Sequence, residues 1–240
     1  IAAGQDASAD NIVAGLRAAF DDTKTAGVIL RINSPGGSPV QAGYVFDEIQ
    51  RLRAKHPEIP VHAVVTDVCA SGGYYIAAAA DNVYANKASI VGSIGVRMDS
   101  FGFVEALEKL GVERRLLTAG QNKGLLDPFL PLDEQEVSHV QTMLDNIHQQ
   151  FIETVKTGRG DRLKDDPQLF SGLMWTGEQA LKLGLVDDLL SASQVARDVI
   201  GTDTVRDYTL RRDLLHRFTD RLGMALSKGI TELMGSNSIR

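Results

Sequence analysis

Cysteine and histidine, which build most disulfide frameworks and many metal sites, are scarce in this sequence of 240 residues. There is one cysteine, Cys69, so an internal disulfide is excluded. The sequence also contains no C-x-x-C, H-E-x-x-H, G-x-x-x-x-G-K or G-x-G-x-x-G pattern. We therefore expect no metal, nucleotide or other cofactor, and we interpret Cys69 as a small, buried apolar residue.

Positive charge and long apolar runs are scarce as well. The formal net charge is −6, which argues against a nucleic-acid partner because a phosphate backbone calls for clustered Lys and Arg. No apolar run approaches the ~20 residues of a membrane-spanning helix, and no signal-peptide pattern opens the sequence. The first residues, IAAG, resemble the middle of an element. We therefore expect a membrane anchor to be missing ahead of them.

The composition that remains is that of a soluble globular protein, with 43% apolar and 23% charged residues. Apolar runs alternate with segments of helical spacing. Strands are predicted at 27–33, 61–68, 82–96, 112–118 and 185–186, and helices at 9–22, 38–53, 73–80, 101–111, 133–155 and 176–184. This βαβα order predicts a single α/β domain over residues 1–240.

Capping signals mark several helix starts. Ser38 is followed by Pro39 at the first helical position, Asp133 precedes the longest helix, and Thr176 forms a capping box with Gln179. The apolar residues expected to face inward from the helix after Ser38 are Val40, Tyr44, Ile49 and Leu52.

An amphipathic helical extension is predicted at about 210–234. Its five basic residues could contact a membrane surface. The interpretation that we prefer is a helix packed on its own protomer or on a neighbouring one.

Two strand-to-helix turns of the same kind stand out, the SPGG turn at 34–37 and the ASGG turn at 70–73. A helix start exposes unpaired N–H groups, and glycine lets the backbone approach a bound group closely. Both turns could therefore stabilise an anion or a developing oxyanion. Ser71 adds a hydroxyl, which makes it a candidate nucleophile; the alternative is that Ser71 only caps the following helix.

A nucleophilic serine needs a base, and the five histidines do not single one out. His62 lies in a predicted strand and is interpreted as structural, while His139 and His148 are expected on opposite faces of one helix. A lysine can act as the base when an apolar site favours its neutral form. Lys123 lies among small and apolar residues, with Asp127 as the one nearby acid, and Lys87 is the competing candidate. Without further information, an ordinary loop lysine remains the alternative for Lys123.

Several motifs in one order carry a family resemblance. They are INSPGG at 32–37, ASGGYYIA at 70–77, ASIVGSIGV at 88–96, TAGQNKGLLDPF at 118–129 and TGEQALKLGLVD at 176–187. The sequence resembles the signal peptide peptidase A family of serine–lysine peptidases, in its half-length form. The resemblance implies the fold of the Clp-protease/crotonase superfamily, a single-domain spiral of ββα units.

The resemblance also implies roles for individual residues. Ser71 matches the nucleophile, Lys123 the general base, and Ser93 the serine that hydrogen-bonds the base amine. The backbone amides that match the oxyanion-binding region are those of Gly36, Gly37 and Gly72. The sequence departs from the family pattern after the lysine, where many relatives have Asp and this chain has Gly124.

For the whole protein, the resemblance implies a serine endopeptidase that hydrolyses apolar peptides such as remnant signal peptides. It implies a homo-oligomeric ring with active sites at protomer interfaces, so that the nucleophile is inert until assembly. It also implies a bacterial membrane protein whose catalytic domain lies on the extracytoplasmic, periplasmic side. The alternatives are an acyl-CoA hydratase or isomerase of the crotonase type, which would not need Ser71, and a non-enzymatic membrane-associated scaffold.

Overall fold

The computed structural model of the chain describes residues 1–210. Apart from Leu210, the helix that the sequence predicts at about 210–234 lies outside these residues. Six main helices are present in the described part: α1 (Ala9–Asp21), α2 (Pro39–Lys55), α3 (Gly72–Ala77), α4 (Val104–Leu110), α5 (Glu134–Arg159) and α6 (Gly177–Leu183). The strands there are β1 (Val28–Ser34), β2 (Val61–Ala70), β3 (Asn82–Tyr84), β4 (Ile90–Gly92) and β5 (Met174–Thr176).

The strands form one mixed sheet in the order β1-β2-β4-β5, and β3 also pairs with β2. The pairs β1–β2, β2–β3 and β2–β4 are parallel, whereas β4–β5 is antiparallel. Because β1, β2 and β4 run in the same direction, their carboxyl ends meet at one edge of the sheet. The α/β class predicted from the sequence is confirmed.

The core lies between this sheet and its helices, and β2 runs through it. The consecutive residues His62, Ala63 and Val64 on β2 are all buried, as expected for a parallel strand covered on both faces. Tyr74 on α3 and Phe151 on α5 belong to the same apolar cluster as Ala63. α3 is therefore fixed beside β2, and α5 is fixed beside α3.

The predicted caps are confirmed. Ser38 accepts a hydrogen bond from the Gln41 amide, and Asp133 accepts bonds from the first turn of α5. Thr176 and Gln179 form the reciprocal capping box that their spacing predicts. These starts depend on residues three positions apart, which is why sequence alone locates them.

Several longer-range predictions are wrong. Residues 112–118 form no strand, and 185–186 are buried but lie outside any strand, with an isolated bridge at Asp188 instead. The stretch 82–96 contains two short strands rather than one. On α2, Ile49 and Leu52 are buried as predicted, but Val40 and Tyr44 are 56% and 59% exposed.

One long segment stands apart from the core. No residue from 95 to 139 is buried, and we call this segment the arm. It carries α4 and a series of turns, held together by contacts such as the stacked rings of Phe103 and Phe129, whose centroids are 5.4 Å apart. The exposed apolar residues of the arm are Met98, Phe101, Phe103, Leu110, Val112, Leu116, Leu117, Leu125, Phe129, Leu132 and Val137. Within residues 1–210, no helix is both long and apolar enough to cross a membrane.

Candidate active site

The two glycine turns meet where β1 and β2 end. A Cβ atom added at Gly36 would lie 2.7 Å from the Cβ of Ser71 and 3.1 Å from the amide nitrogen of Gly72. A Cβ added at Gly72 would lie 3.4 Å from the amide nitrogen of Gly37. The SPGG and ASGG turns are thus in direct contact, so groups of both turns surround one point of the sheet edge.

Ser71 has an unusual backbone conformation at this point. Its φ is +50° and its ψ is −124°, a region that L-residues rarely occupy. Its amide donates a hydrogen bond to the carbonyl of Gly92 at 2.8 Å, which ties the turn to the end of β4. The Ser71 side chain makes no capping hydrogen bond to α3. The interpretation of Ser71 as a helix cap is therefore wrong, and its hydroxyl remains available for another role.

The structure separates the three glycines that the sequence proposes as oxyanion donors. The amide of Gly36 donates to the hydroxyl of Ser34 at 3.1 Å, so this N–H is already engaged. Among the described residues, no hydrogen-bond acceptor is recorded for the amides of Gly37 and Gly72. These two N–H groups are the ones that could bind an oxyanion. A serine two residues before an amide is a common turn arrangement, and that spacing could have revealed the role of Ser34.

The other side of the SPGG turn is held by the first residue of the sequence. The backbone nitrogen of Ile1 lies 2.6 Å from the Gly36 carbonyl oxygen, and the amide of Ser38 donates to the Ile1 carbonyl at 2.9 Å. A Cβ added at Gly37 would lie 2.0 Å from the Ile1 carbonyl oxygen, so only glycine fits there. Sequence reasoning gave no role to Ile1, because such pairing depends on the folded chain.

Ser93 lies next to Ser71 through the register of β2 and β4. Ala70 is the partner of Gly92 in the parallel ladder, and Ser71 and Ser93 each follow by one residue. Ser93 has φ +53°, and its amide donates to the carbonyl of Leu173 at 2.7 Å. The structure thus brings Ser71 and Ser93 together at the same edge.

Lys123, in contrast, is not joined to the serines. It lies in the arm with an exposed side chain, and among the described residues no hydrogen bond links it to Ser71 or Ser93. The nearby acid, Asp127, is engaged elsewhere: it accepts hydrogen bonds from the Phe129 amide at 2.9 Å and from Arg114. These two bonds lower the pKa of Asp127 below its ordinary value. The acid is therefore paired within the arm rather than with the lysine.

The competing candidate base, Lys87, lies at the opposite end of β4 from Ser71. Lys87 precedes Ile90, the first residue of β4, whereas Ser71 bonds to Gly92, the last. The hydroxyl of Ser89 is already used, since it accepts from the Asn86 amide at 2.9 Å and donates to the Thr66 carbonyl. The Ser89 hydroxyl is therefore not free to orient the amine of Lys87.

Within the described part of the chain, neither the histidines His62, His139 and His148 nor Cys69 is hydrogen-bonded to Ser71. His62 is buried in β2, and burial lowers the pKa of its imidazole. His139 is exposed on α5, while His148 is half-buried and contacts the carbonyl of Ile94. Cys69 is fully buried, and burial raises the pKa of its thiol. The prediction that Cys69 is a small buried residue below the turn is confirmed.

A cavity with a volume of about 1710 Å³ lies along β1, α1 and residues 202–210. Neither Ser71 nor Lys123 lines it.

Comparisons with known proteins identify the family of the chain. Residues 53–202 match Peptidase family S49, and residues 2–91 match Clp protease. A protein of Brucella melitensis named Na(+)/H(+) antiporter NhaA is 46% identical over 87% of this chain, which corresponds to 28% of that protein. A putative protease of Methanocaldococcus jannaschii is 31% identical over 89% of this chain and 70% of its own length. A putative signal peptide peptidase SppA of Enterococcus faecium is 31% identical over 75% of this chain and 52% of its own length.

The mixed sheet and the two glycine turns define a Clp-protease-like domain with the α/β fold that the sequence predicts. Within that class, the chain belongs to Peptidase family S49, which confirms the resemblance to the signal peptide peptidase A family. The chain spans 28% of the length of the antiporter-named relatives that it matches.

Proposed function

We propose that this chain carries a serine peptidase site in which Ser71 is the nucleophile and Lys123 of a neighbouring copy is the general base. The observation that carries the proposal is the conformation of the ASGG turn. Ser71 is held at φ +50° with its hydroxyl free of any cap, and the amides of Gly37 and Gly72 lie beside it. This arrangement suits a nucleophile with oxyanion donors, and within residues 1–210 no basic side chain is hydrogen-bonded to Ser71.

The proposed reaction is amide hydrolysis through an acyl-enzyme. Neutral Lys123 takes the proton of Ser71 Oγ, which bonds to the peptide carbonyl carbon, while the amides of Gly37 and Gly72 stabilise the oxyanion. The C–N bond then breaks, and the lysine gives its proton to the leaving amine. Water attacks the ester as the lysine accepts a proton, and that proton returns to Ser71 when the ester bond breaks. The net reaction consumes one water molecule.

A neighbouring copy would supply what the single chain lacks. The arm that bears Lys123 has no buried residue and exposes many apolar side chains. Large exposed apolar patches mark interaction surfaces. If the arm packs against another protomer in a ring, water is removed from the Lys123 amine, which favours its neutral form. Ser93, beside Ser71, would then hydrogen-bond this amine.

The surface beside the turn suits extended, apolar peptides such as remnant signal peptides. α2 begins directly after the SPGG turn, and its exposed residues Val40 and Tyr44 lie one helical turn apart. They provide apolar surface next to the proposed oxyanion site. We further propose that the domain works on the extracytoplasmic side of a bacterial membrane, joined to an N-terminal anchor.

The test is complementation between two inactive variants. Ser71→Ala and Lys123→Ala proteins are each assayed with a quenched fluorescent apolar peptide, alone and after mixing under conditions that exchange subunits. We expect each variant alone to lose turnover, and the mixture to recover a fraction of the wild-type rate. Labelling by a serine-directed fluorophosphonate is expected in wild type and to be absent from Ser71→Ala.

The outcomes separate the parts of the proposal. Turnover that survives Ser71→Ala would refute the nucleophile, and turnover that survives Lys123→Ala would refute the base. Two inactive variants that exchange subunits without recovery would refute the shared site while leaving both residues in place. A wild-type chain that assembles but neither cleaves peptide nor reacts with the probe would support the scaffold alternative.

A further inference from the structure

The imidazole of His148 makes a specific contact with the segment that carries Ser93. Its Nε2 atom lies 3.1 Å from the carbonyl oxygen of Ile94. A carbonyl oxygen can only accept, so His148 must donate, and the proton of the neutral ring is on Nε2. Ile94 itself is fully buried, which makes a satisfied carbonyl important at this position.

This contact is one of three that hold consecutive backbone groups of the segment. The Gly92 carbonyl accepts from the Ser71 amide at 2.8 Å, and the Ser93 amide donates to the Leu173 carbonyl at 2.7 Å. The Ile94 carbonyl accepts from His148. Ser93 has φ +53°, a conformation that persists only when surrounding contacts enforce it. His148 supplies the one side-chain contact among these three.

The position of His148 is itself well fixed. On the same helix, Phe151 is buried and packs against the ring of Tyr75, with centroids 5.1 Å apart. The Thr154 hydroxyl also donates to the Tyr75 hydroxyl at 2.9 Å. Since Tyr75 belongs to α3, which begins right after Ser71, α5 holds the imidazole at a fixed place relative to the serine turn.

We propose that His148 is a positioning residue, which holds the Gly92–Ile94 segment so that the Ser93 hydroxyl can orient the amine of the base. This inference rests on the proposed serine–lysine site. It assigns the role to the protomer that supplies Ser71 and Ser93, because His148 contacts the Ser93 segment of its own chain. The lysine can come from a different protomer without any change in this contact.

The first experiment compares three single variants by kcat and KM on the fluorescent peptide. His148→Leu keeps an apolar side chain but removes the donor, whereas His148→Gln retains an N–H group near the position of Nε2. Gln149→Leu is the matched control, since Gln149 is exposed on the same helix and lies outside the arm. We expect His148→Leu to lower kcat about tenfold or more with little change in KM, because small misplacements of catalytic groups are costly. His148→Gln should regain most of the rate, and Gln149→Leu should resemble wild type.

The second experiment asks which protomer the defect follows. In a mixture of Lys123→Ala with His148→Leu, sites that combine the serine of the first with the lysine of the second have an intact His148 beside Ser93. This mixture should be as active as the mixture of Ser71→Ala with Lys123→Ala. In a mixture of Ser71→Ala with His148→Leu, every working serine comes from the chain without the histidine, so the rate should stay low.

The results distinguish this inference from the function on which it rests. A defect that follows the lysine-donating chain, or a His148→Gln enzyme as slow as His148→Leu with the same loss of melting temperature, would overturn the positioning role. So would a His148→Leu enzyme with unchanged kcat when Ser71→Ala is inactive. Turnover that survives Ser71→Ala would instead overturn the serine site itself.

Discussion

At the scale of single residues, Gly36 lies in close contact with Ser71. Gly36 has φ +115°, and any side chain there would press against the Ser71 side chain and the Gly72 amide. The second glycine turn therefore depends on the absence of a Cβ in the first. The ASGG turn can keep its conformation because Gly36, which contacts it, has no side chain.

A substitution at Gly36 tests this dependence. Gly36→Ala is expected to abolish fluorophosphonate labelling of Ser71 and to lower the free energy of unfolding by about 1–3 kcal/mol, owing to positive φ and the overlap. Gly43→Ala is the control: it lies in α2, and a Cβ there meets nothing within 4 Å. The free energy of unfolding of this control should rise by about 0.5–1 kcal/mol, because alanine is more favourable than glycine in a helix interior. Normal labelling in Gly36→Ala would contradict the geometry.

Sequence predicts those residues whose chemistry is local and misses those whose partners are distant. The cap at Ser38 and the serine turn at Ser71 follow from neighbours within a few positions. The hydrogen bond from the Gly36 amide to the Ser34 hydroxyl is also local. The sequence alone, however, does not show which of the two glycine amides makes this bond, because that depends on the conformation of the turn. The pairing of Ile1 with the SPGG turn could not be predicted, because it joins residues 35 positions apart.

At the scale of elements, α1 and α2 are joined by one carboxylate. Glu48 on α2 is largely buried and accepts hydrogen bonds from Arg51, at 2.7 and 2.8 Å, and from Arg17 on α1 at 2.7 Å. The bonds from Arg51 and Arg17 lower the pKa of Glu48 from 4.5 to about 2. The ionised form is thus favoured by folding.

This linkage predicts an acid-sensitive contribution to stability. Because the folded pKa is depressed, the contribution is present above pH 4.5 and is lost as the pH falls towards 2. Both arginines are more than half exposed, so screening reduces the effect to about 1 kcal/mol. Urea unfolding at pH 7 and pH 3 should show that Glu48→Gln costs clearly more stability at pH 7 than at pH 3. Glu178→Gln, which removes an exposed pair with Lys182, should change little at either pH.

The end of α5 is held by a buried ion pair. The Arg159 side chain is fully buried. Its two terminal nitrogens each donate a hydrogen bond of 2.8 Å to the Asp187 carboxylate, and its Nε donates one of 3.0 Å to the Gly184 carbonyl. Burial acts to raise the pKa of Asp187, but the hydrogen bonds from Arg159 and the Val83 amide outweigh it and keep that pKa below its ordinary value. The pair connects α5, β3 and the chain after α6.

Removing one partner should therefore be costly. Arg159→Met is expected to destabilise the protein by about 3–5 kcal/mol, because it leaves a partly buried carboxylate without its main partner. Thermal or urea unfolding measures the change. Arg197→Ala is the matched control, since Arg197 pairs with Asp198 on the surface and both are about half exposed; we expect a change within about 0.5 kcal/mol. Equal losses of stability in the two variants would show that the buried Arg159–Asp187 pair contributes no more to stability than a surface pair.

Element prediction fails where a strand needs a partner. The sequence VERRLLT at 112–118 has the apolar content of a strand, but these residues lie in the arm, where no strand of the described chain pairs with them. A β-strand forms only when an edge with free backbone groups is available, and no local pattern reveals that edge. Helix spacing likewise identified the α2 face but not the limit of its burial, so Val40 and Tyr44 were wrongly placed inside.

At the scale of the whole molecule, the chain has a packed core and an arm without one. Leu117, in the middle of the arm, is 97% exposed. Side chains of this kind are costly to leave in water when they form a group. The proposed ring provides the contacts that would cover them.

A polar substitution in the arm should weaken assembly without unfolding the core. We expect Leu117→Ser to lower the molar mass measured by light scattering, and to lower peptidase turnover with it, while the melting temperature of the dissociated chain stays the same. Val205→Ser is the control, because Val205 is 70% exposed but lies outside the arm. If both variants keep the wild-type mass, the arm is not the interface.

The burial of Cys69 has a practical consequence for studying such an assembly. Since the one thiol of this 240-residue chain is buried and its pKa is raised, the chain as given should react little with maleimide or thiol-directed spin labels. A thiol introduced on the arm, for example by Thr118→Cys, would carry the only label. Dipolar spectroscopy could then measure label-to-label spacing between copies without first deleting a native cysteine beside the nucleophile.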